Sequence, residues 1–216
     1  MSKQTQSLIS AILNRIDLGQ LNPGDLVDEA DLVSQFGVSR TPLREALLHL
    51  EAVGLIRRQP RKGATVFRPT LPEFLAILEI NAKLEGQAAG LAARRLSAGG
   101  AADLERIVLA CETHASRHGD ARPDDYYQLN LRFHDCVALA AGNPYLTDLI
   151  KTNARKLLAY YRARYQFAGV IAASAGEHRA LARLITDRDS VGAETMMQRH
   201  VLLDQVTAMD ILAALS

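Results

Sequence analysis

Between two glycines, Gly37 and Gly54, stands a run that admits few conformations: Val38, Ser39, Arg40, Thr41 and Pro42, followed by an apolar stripe. Ser39 suits an N-cap, Pro42 falls in the first helical turn where its missing N–H costs nothing, and Gly54 closes the C-terminal end. Leu43, Ala46, Leu47 and Leu50 recur at helical spacing and predict a buried face, while Arg40 and Arg44 lie one turn apart on another. Arginine grips guanine O6 and N7 bidentately or clamps a phosphate. Ser39, Arg40, Thr41 and Arg44 all sit at the helix N-terminus, where helix-turn-helix readers touch base edges. Read in isolation, the same helix serves equally as an amphipathic surface helix with solvated arginines.

The flanking sequence separates these readings. Leu8, Ile9, Ile12, Leu13 and Ile16 predict a first helix over Thr5 to Leu18, and Asn22 to Asp25 predicts a turn. Asp28 then caps a short second helix with Leu32 and Phe36 inward, and Gly37 permits a left-handed turn into Ser39. After Gly54, two short β-runs, Leu55 to Arg58 and Ala64 to Phe67, surround a turn holding Pro60, Arg61, Lys62 and Gly63. Three helices and a hairpin with a basic tip make a winged helix-turn-helix, the tip reaching backbone or minor groove. The alternative is a basic surface hairpin with no partner.

Charge supports the DNA reading only through its placement. The 216 residues carry a formal net charge of +1, so overall basicity argues nothing. From Ala52 to Pro72, however, no acidic residue occurs, and Arg57, Arg58, Arg61, Lys62 and Arg68 are concentrated there. A 48% hydrophobic, 23% charged composition is that of a globular protein and excludes disordered and fibrous classes. The N-terminus lacks a signal-peptide pattern and no apolar run approaches about 20 residues, so a cytoplasmic protein without a membrane partner is expected. Cys111 and Cys136 are too few for a disulfide framework and are assigned no chemistry.

From Arg68 onward the character changes. A domain of residues 1–68, a stiff linker of 69–72 and a second domain of 73–216 are expected, with Thr70 and Glu73 forming a capping-box pattern. Helical periodicity marks segments beginning with Ile77 to Leu91 and Leu104 to Cys111. Further segments span Asp124 to Ala141, Pro144 to Tyr165, Ser174 to Asp187 and Ser190 to Leu215, and Ala172 to Gly176 reads as a short loop. The fold class is therefore mainly α: an N-terminal winged helix-turn-helix and a C-terminal six-helix antiparallel bundle.

Three of the six histidines, His134, His178 and His200, fall on inner faces of three different bundle helices, and Asn130 stands four residues before His134 on the same face. Three imidazoles and an amide oxygen can hold a divalent transition metal. Spacing alone still favours satisfied core histidines. No run of inward carboxylates with Glu-x-x-His pairs and no His-Glu-x-x-His occurs, which weighs against a helical metalloenzyme.

The residues from Val38 to Leu47, Leu50 to Ile56 and the wing glycine Gly63 resemble the GntR family of bacterial transcription regulators over residues 5 to 68. The resemblance implies operator contacts by Ser39, Arg40, Thr41 and Arg44, with Arg61, Lys62 and Gly63 in the wing; Ala30 stands where some relatives place an arginine. Phe133-His134, Ala141 to Leu146, Glu177 to Leu181 and Met196 to His200 look like the FCD effector-binding domain of the FadR-like branch, over residues 72 to about 213. That resemblance implies a Zn, Ni or similar ion on His134, His178 and His200, with Asn130 in place of the usual acidic ligand. It also implies an effector site in which Asn81 occupies the position of a carboxylate-anchoring arginine, and six helices point to the VanR-like subgroup. The function expected is a homodimeric, ligand-responsive regulator, a repressor, that binds a palindromic double-stranded DNA operator and answers to a small organic or sugar acid. A bundle that only dimerises is the competing reading.

Overall fold

A computed structural model describes residues 1–59 and 63–202 and divides the chain into two compact units, residues 1–70 and residues 71 onward. Arg61, Lys62 and the expected helical stretch beyond residue 202 lie outside the described residues.

The first unit opens with α1 (Lys3–Asp17), whose Leu8, Ile9, Ile12 and Ile16 are buried. The Ser2 hydroxyl caps it by accepting from the Thr5 N–H at 3.1 Å, and the buried Thr5 hydroxyl donates to Glu45 at 2.8 Å, fastening α1 to α3 (Arg40–Ala52). Between them, α2 (Glu29–Phe36) is capped by Asp28, which accepts from the Asp31 N–H at 2.9 Å, and ends at Gly37, whose φ of 58° is left-handed. Leu43, Ala46, Leu47 and Leu50 form the buried face of α3 as their spacing predicts. Ser39 holds the N-cap position in extended conformation, but its hydroxyl makes no capping bond. The start of this helix thus rests on the buried Pro42 in its first turn and on the stripe behind it.

Strands β1 (Ile56–Gln59) and β2 (Gly63–Val66) pair antiparallel with Ile56 opposite Val66 and Arg58 opposite Ala64. Alternation turns Ile56, Ala64 and Val66 inward and Arg57 outward, while Arg58, on the same face as Ile56, is exposed nearer the hairpin tip. The chain before α2 adds to this hairpin: the Val27 N–H donates to the Ala64 carbonyl and the Val66 N–H to that of Asp25.

The second unit is built on α4 (Leu71–Arg95), which begins within the stretch expected to be a linker. Its buried positions are mostly small: Ala82, Gly86, Ala88, Ala89, Gly90, Ala92 and Ala93. A Cβ on Gly86 would stand 2.9 Å from the Glu194 carbonyl oxygen, and one on Gly90 3.1 Å from that of Ser190. The two glycines therefore let α10 (Ser190–Val201) lie backbone against backbone on α4. Helices α5 (Ala98–His118), α6 (Pro123–Ala140) and α9 (Val170–Thr186) complete the core, with Phe74, Phe133, Leu181 and Met197 buried among them.

The structure also departs from the sequence expectation in its division of the later helices. Pro144 to Tyr165 forms two helices, α7 (Pro144–Lys156) and α8 (Leu158–Arg164), so seven helices rather than six are described in this unit. The break lies at Leu157, with φ −96° and ψ 0°, whose N–H is shared between the Asn153 and Ala154 carbonyls; the bend drives Leu157, Leu158 and Tyr160 into the core. No Gly or Pro marks it. Conversely, Ala172 to Gly176 is helix: α9 starts after Gly169, at φ 79°, and the small residues Ser174 and Ala175 are buried in packing.

At the far end of α4, Arg188 takes a left-handed φ of 64° and donates to the Ala93 and Leu96 carbonyls at 3.0 and 2.8 Å, satisfying groups that a helix end leaves open. The α4–α10 contact has a direct test. Gly86→Ala gains helix propensity, yet its methyl meets the α10 backbone, so thermal or urea unfolding should show a net destabilisation of about 1–3 kcal/mol.

Candidate metal centre and DNA-contacting helix

In the first unit, Ser39, Arg40, Thr41 and Arg44 are all exposed on the N-terminal half of α3, opposite the stripe that packs on α1. Neither arginine is paired with a carboxylate among the described residues; the adjacent Glu45 is held by Thr5. Two free guanidinium groups beside the positive end of a helix dipole form a surface that attracts phosphate and can enter a groove. Gly63 stands at the start of β2 with φ 84°, and a Cβ there would press on Leu26 at 3.3 Å, which explains a glycine in the wing.

In the second unit, α6, α9 and α10 bring His134, His178 and His200 together, one nitrogen of each lying within 4.8 Å of the others. The Nε2 atoms of His178 and His200 are 3.2 Å apart. Two imidazole nitrogens bound to one tetrahedral Zn at about 2.0–2.1 Å would stand roughly 3.3–3.4 Å apart, so this pair is spaced as ligands of one ion. Asn130 is buried one turn before His134, and its Oδ1 has no hydrogen-bond donor. An orphaned buried acceptor on this face fits a fourth oxygen ligand, and neutral imidazoles with an amide oxygen suit a borderline cation such as Zn or Ni.

Two carboxylates that the sequence reading did not place at the site hold the ring orientations. Glu85, buried on α4, is bound to His134 Nδ1, and Glu177 accepts from His200 Nδ1 at 2.6 Å. Each leaves the other ring nitrogen for a metal, the usual support for a ligating histidine. His178 has no such partner and is held by stacking on Phe133 with ring centroids 3.9 Å apart. Burial pushes the His178 imidazole well below the ordinary histidine range, helped by the neighbouring His200 and His134. Burial lowers His200 too, against the pull of the Glu177 hydrogen bond, and that bond holds Glu177 below the usual carboxylate range. The centre is therefore two neutral imidazoles backed by an anion, ready to bind a cation without first losing protons.

Asn81 is fully buried and donates its amide to Glu85 Oε1 at 2.7 Å, one turn along α4. Glu85 thus links the position expected for effector contact to the histidine cluster. A signal existed for Glu85, since it shares a helix face with Asn81; none existed for Glu177, which precedes His178 and reaches a histidine on another helix. Burial pushes the Cys111 thiol up to about 12, so it stays protonated.

Residues 76–203 match the FCD domain model, and residues 4–66 match that of the bacterial regulatory proteins of the gntR family. The chain belongs to the GntR family of regulators that carry an FCD domain. It is 26% identical to the HTH-type transcriptional repressor GlaR of Escherichia coli over 199 residues, 88% of each chain. It is 31% identical to the HTH-type transcriptional regulator LutR of Bacillus subtilis, covering 67% of this chain and 71% of that one. Its match to the uncharacterized regulator YdhC of B. subtilis, 29% identical, spans 58% of that protein. Among solved structures, E. coli McbR/YncC superposes with a TM-score of 0.80 at 19% identity over the whole of both chains, a likeness of fold.

With an amide rather than a carboxylate at Asn130, a metal held by the three histidines would rely on Glu85 and Glu177 for its nearby negative charge. Glu177→Gln should weaken Zn affinity about 10–100-fold in competition with a chromogenic chelator. Asn130→Asp, which adds a charged oxygen, should strengthen it.

Proposed function

We propose that this protein is a metal-assisted, ligand-responsive transcription regulator, a repressor that binds an inverted-repeat operator as a homodimer. The observation that carries the reading is the pairing, in one chain, of a GntR helix bearing unpartnered arginines with an FCD unit whose three histidines converge. Operator symmetry follows from the size of the reading head: one recognition helix spans only a few base pairs, and a two-fold protein matches a palindrome. Ser39, Arg40, Thr41 and Arg44 enter the groove, and Arg61, Lys62 and Gly63 of the wing contact the backbone.

In the second unit, His134, His178 and His200 hold one divalent ion, Zn or a similar metal, with Asn130 as the fourth ligand. The ion supplies a positive centre for the oxygens of a small organic acid. A bundle serving dimerisation alone has no use for buried polar atoms without partners, and Asn81, Asn130 and His178 each carry one. The described residues include no helix long and apolar enough to cross a membrane, and the operator places the protein in the cytoplasm.

Arg40→Ala should cost about 1–3 kcal/mol on the operator and relax base preference at one symmetric position. Lys62→Ala should weaken all sequences alike and flatten the salt dependence. Titration of operator variants at several salt concentrations separates the two; equal loss on specific and random DNA removes base reading from Arg40.

Effector binding changes operator affinity only through its different affinity for the two states of the protein. Calorimetry against a panel of small acids, with and without operator DNA, should therefore find acids whose binding and operator binding alter one another reciprocally. Stripping the metal with a chelator should abolish the response while leaving the operator affinity of the acid-free protein in place. Acids that bind without moving operator affinity would exclude the coupling.

A further inference from the structure

Of the histidines outside the cluster, two stand one turn apart at the C-terminal end of α5: His114 is buried, and His118 is exposed in the last turn. Four residues apart on a helix, they share a face. Their ring centres lie 5.0 Å apart with the planes tilted by 56°. Two imidazoles on one tetrahedral ion, each bound at about 2.0–2.1 Å, bring their ring centres to roughly 5 Å of one another. In the cluster itself, ring centres 5.2 and 4.9 Å apart separate His200 from His134 and His178. His114 packs against Tyr126, with ring centres 5.6 Å apart, and is not a member of that cluster.

His114 is oriented to offer a lone pair. The Arg122 backbone carbonyl bonds its ring, and Nε2 is the nitrogen left without a partner. A carbonyl accepts an N–H, so the bonded nitrogen is Nδ1 and the unpartnered Nε2 is the basic one. A ligating histidine is held in the same way, its far nitrogen fixed by an acceptor and its near one free for a metal. Without a metal, this buried Nε2 is an acceptor that meets no donor. The nearby charges leave room for a cation. Arg122 would oppose one, but it is paired at 2.5 Å with Asp125, whose carboxylate acts on His114 in the opposite sense. The pair also stands at the negative end of the dipole of a 21-residue helix.

We propose that His114 and His118 form a second metal site, a two-histidine chelate on the end of α5 for a borderline divalent cation such as Ni, Cu or Zn. Neutral imidazoles select this class over Mg or Ca, and water fills the remaining positions. With two protein ligands the site holds its ion less tightly than a three-histidine centre and exchanges it with solvent through the exposed His118. The inference is independent of the sensor reading above, since it uses none of His134, His178 and His200.

The test is equilibrium dialysis of the full, untagged chain against Ni²⁺, wild type beside His118→Ala. Any ion held by His134, His178 and His200 is common to both proteins and drops out of the difference. The wild type should take up one equivalent more, and His118→Ala should bind that equivalent about tenfold more weakly or worse, because the second imidazole no longer adds intramolecularly. His118→Ala combined with Arg117→His keeps an imidazole in the same turn but about 100° round the helix, and should not recover the lost equivalent. His114→Gln should match His118→Ala; should that variant not fold, the comparison at the exposed His118 decides. Equal uptake by wild type and His118→Ala overturns the site. Recovery in the double variant overturns the pairing with His114, since any surface imidazole would then serve.

Discussion

The close approach of α4 and α10 sets the geometry of the second unit. It requires glycine at Gly86 and Gly90, where any Cβ would press on the backbone of the facing helix. Glycine inside a helix gives up about 1 kcal/mol relative to alanine, and α4 accepts that loss twice on the face it turns to α10. The consequence is positional. Glu85 and Asn81 on α4 and His200 on α10 belong to the same site, so a change in the separation of these two helices changes the separation of the groups that would share a metal and a ligand.

Around that contact the site combines rigid supports with unfilled valences. Glu85 and Glu177 hold two histidine rings through Nδ1, Phe133 holds the third by stacking, and burial keeps His178 and His200 neutral. The hydrogen bonds that orient the rings are complete, while the nitrogens and amide oxygens turned inward are not. A core selected for stability alone avoids such a state, because a buried acceptor without a donor loses its hydration and regains nothing. The arrangement is what the proposed sensor site would need, with the supports made before a ligand arrives.

Much of this was legible in the sequence because the signals are local. The N-cap at Asp28, the left-handed Gly37 and the 43, 46, 47, 50 stripe fix the reading helix within a few turns of chain, and the basic, acid-free stretch announces the hairpin. The three histidines were visible as inward positions of three helices. Less legible were the features set by tertiary packing. The break at Leu157 has no Gly or Pro and follows from what the core accepts; the Ala172 to Gly176 run looks like loop composition yet is helix because small residues pack closely. Glu177 is a partner of His200 only because α9 and α10 lie side by side.

The arginines show why a residue's surroundings, more than its type, carry the functional argument. An exposed arginine without an ion pair is ordinary: Arg117 and Arg132 have none among the described residues, and water satisfies them. Arginines that reach across to another helix find acceptors: Arg95 and Arg188, though exposed, end on carbonyls, and the half-buried Arg179 ends on carboxylates. Arg40 and Arg44 depart from the first pattern by position, standing together at the N-terminus of a helix whose opposite face is fully committed to the core. Arg164, half-buried, donates to the His200 carbonyl, and its charge acts on the nearby Glu177 carboxylate. Arg40 and Arg44 thus stand where a negatively charged partner from outside the chain, a phosphate backbone or a guanine edge, would complete them.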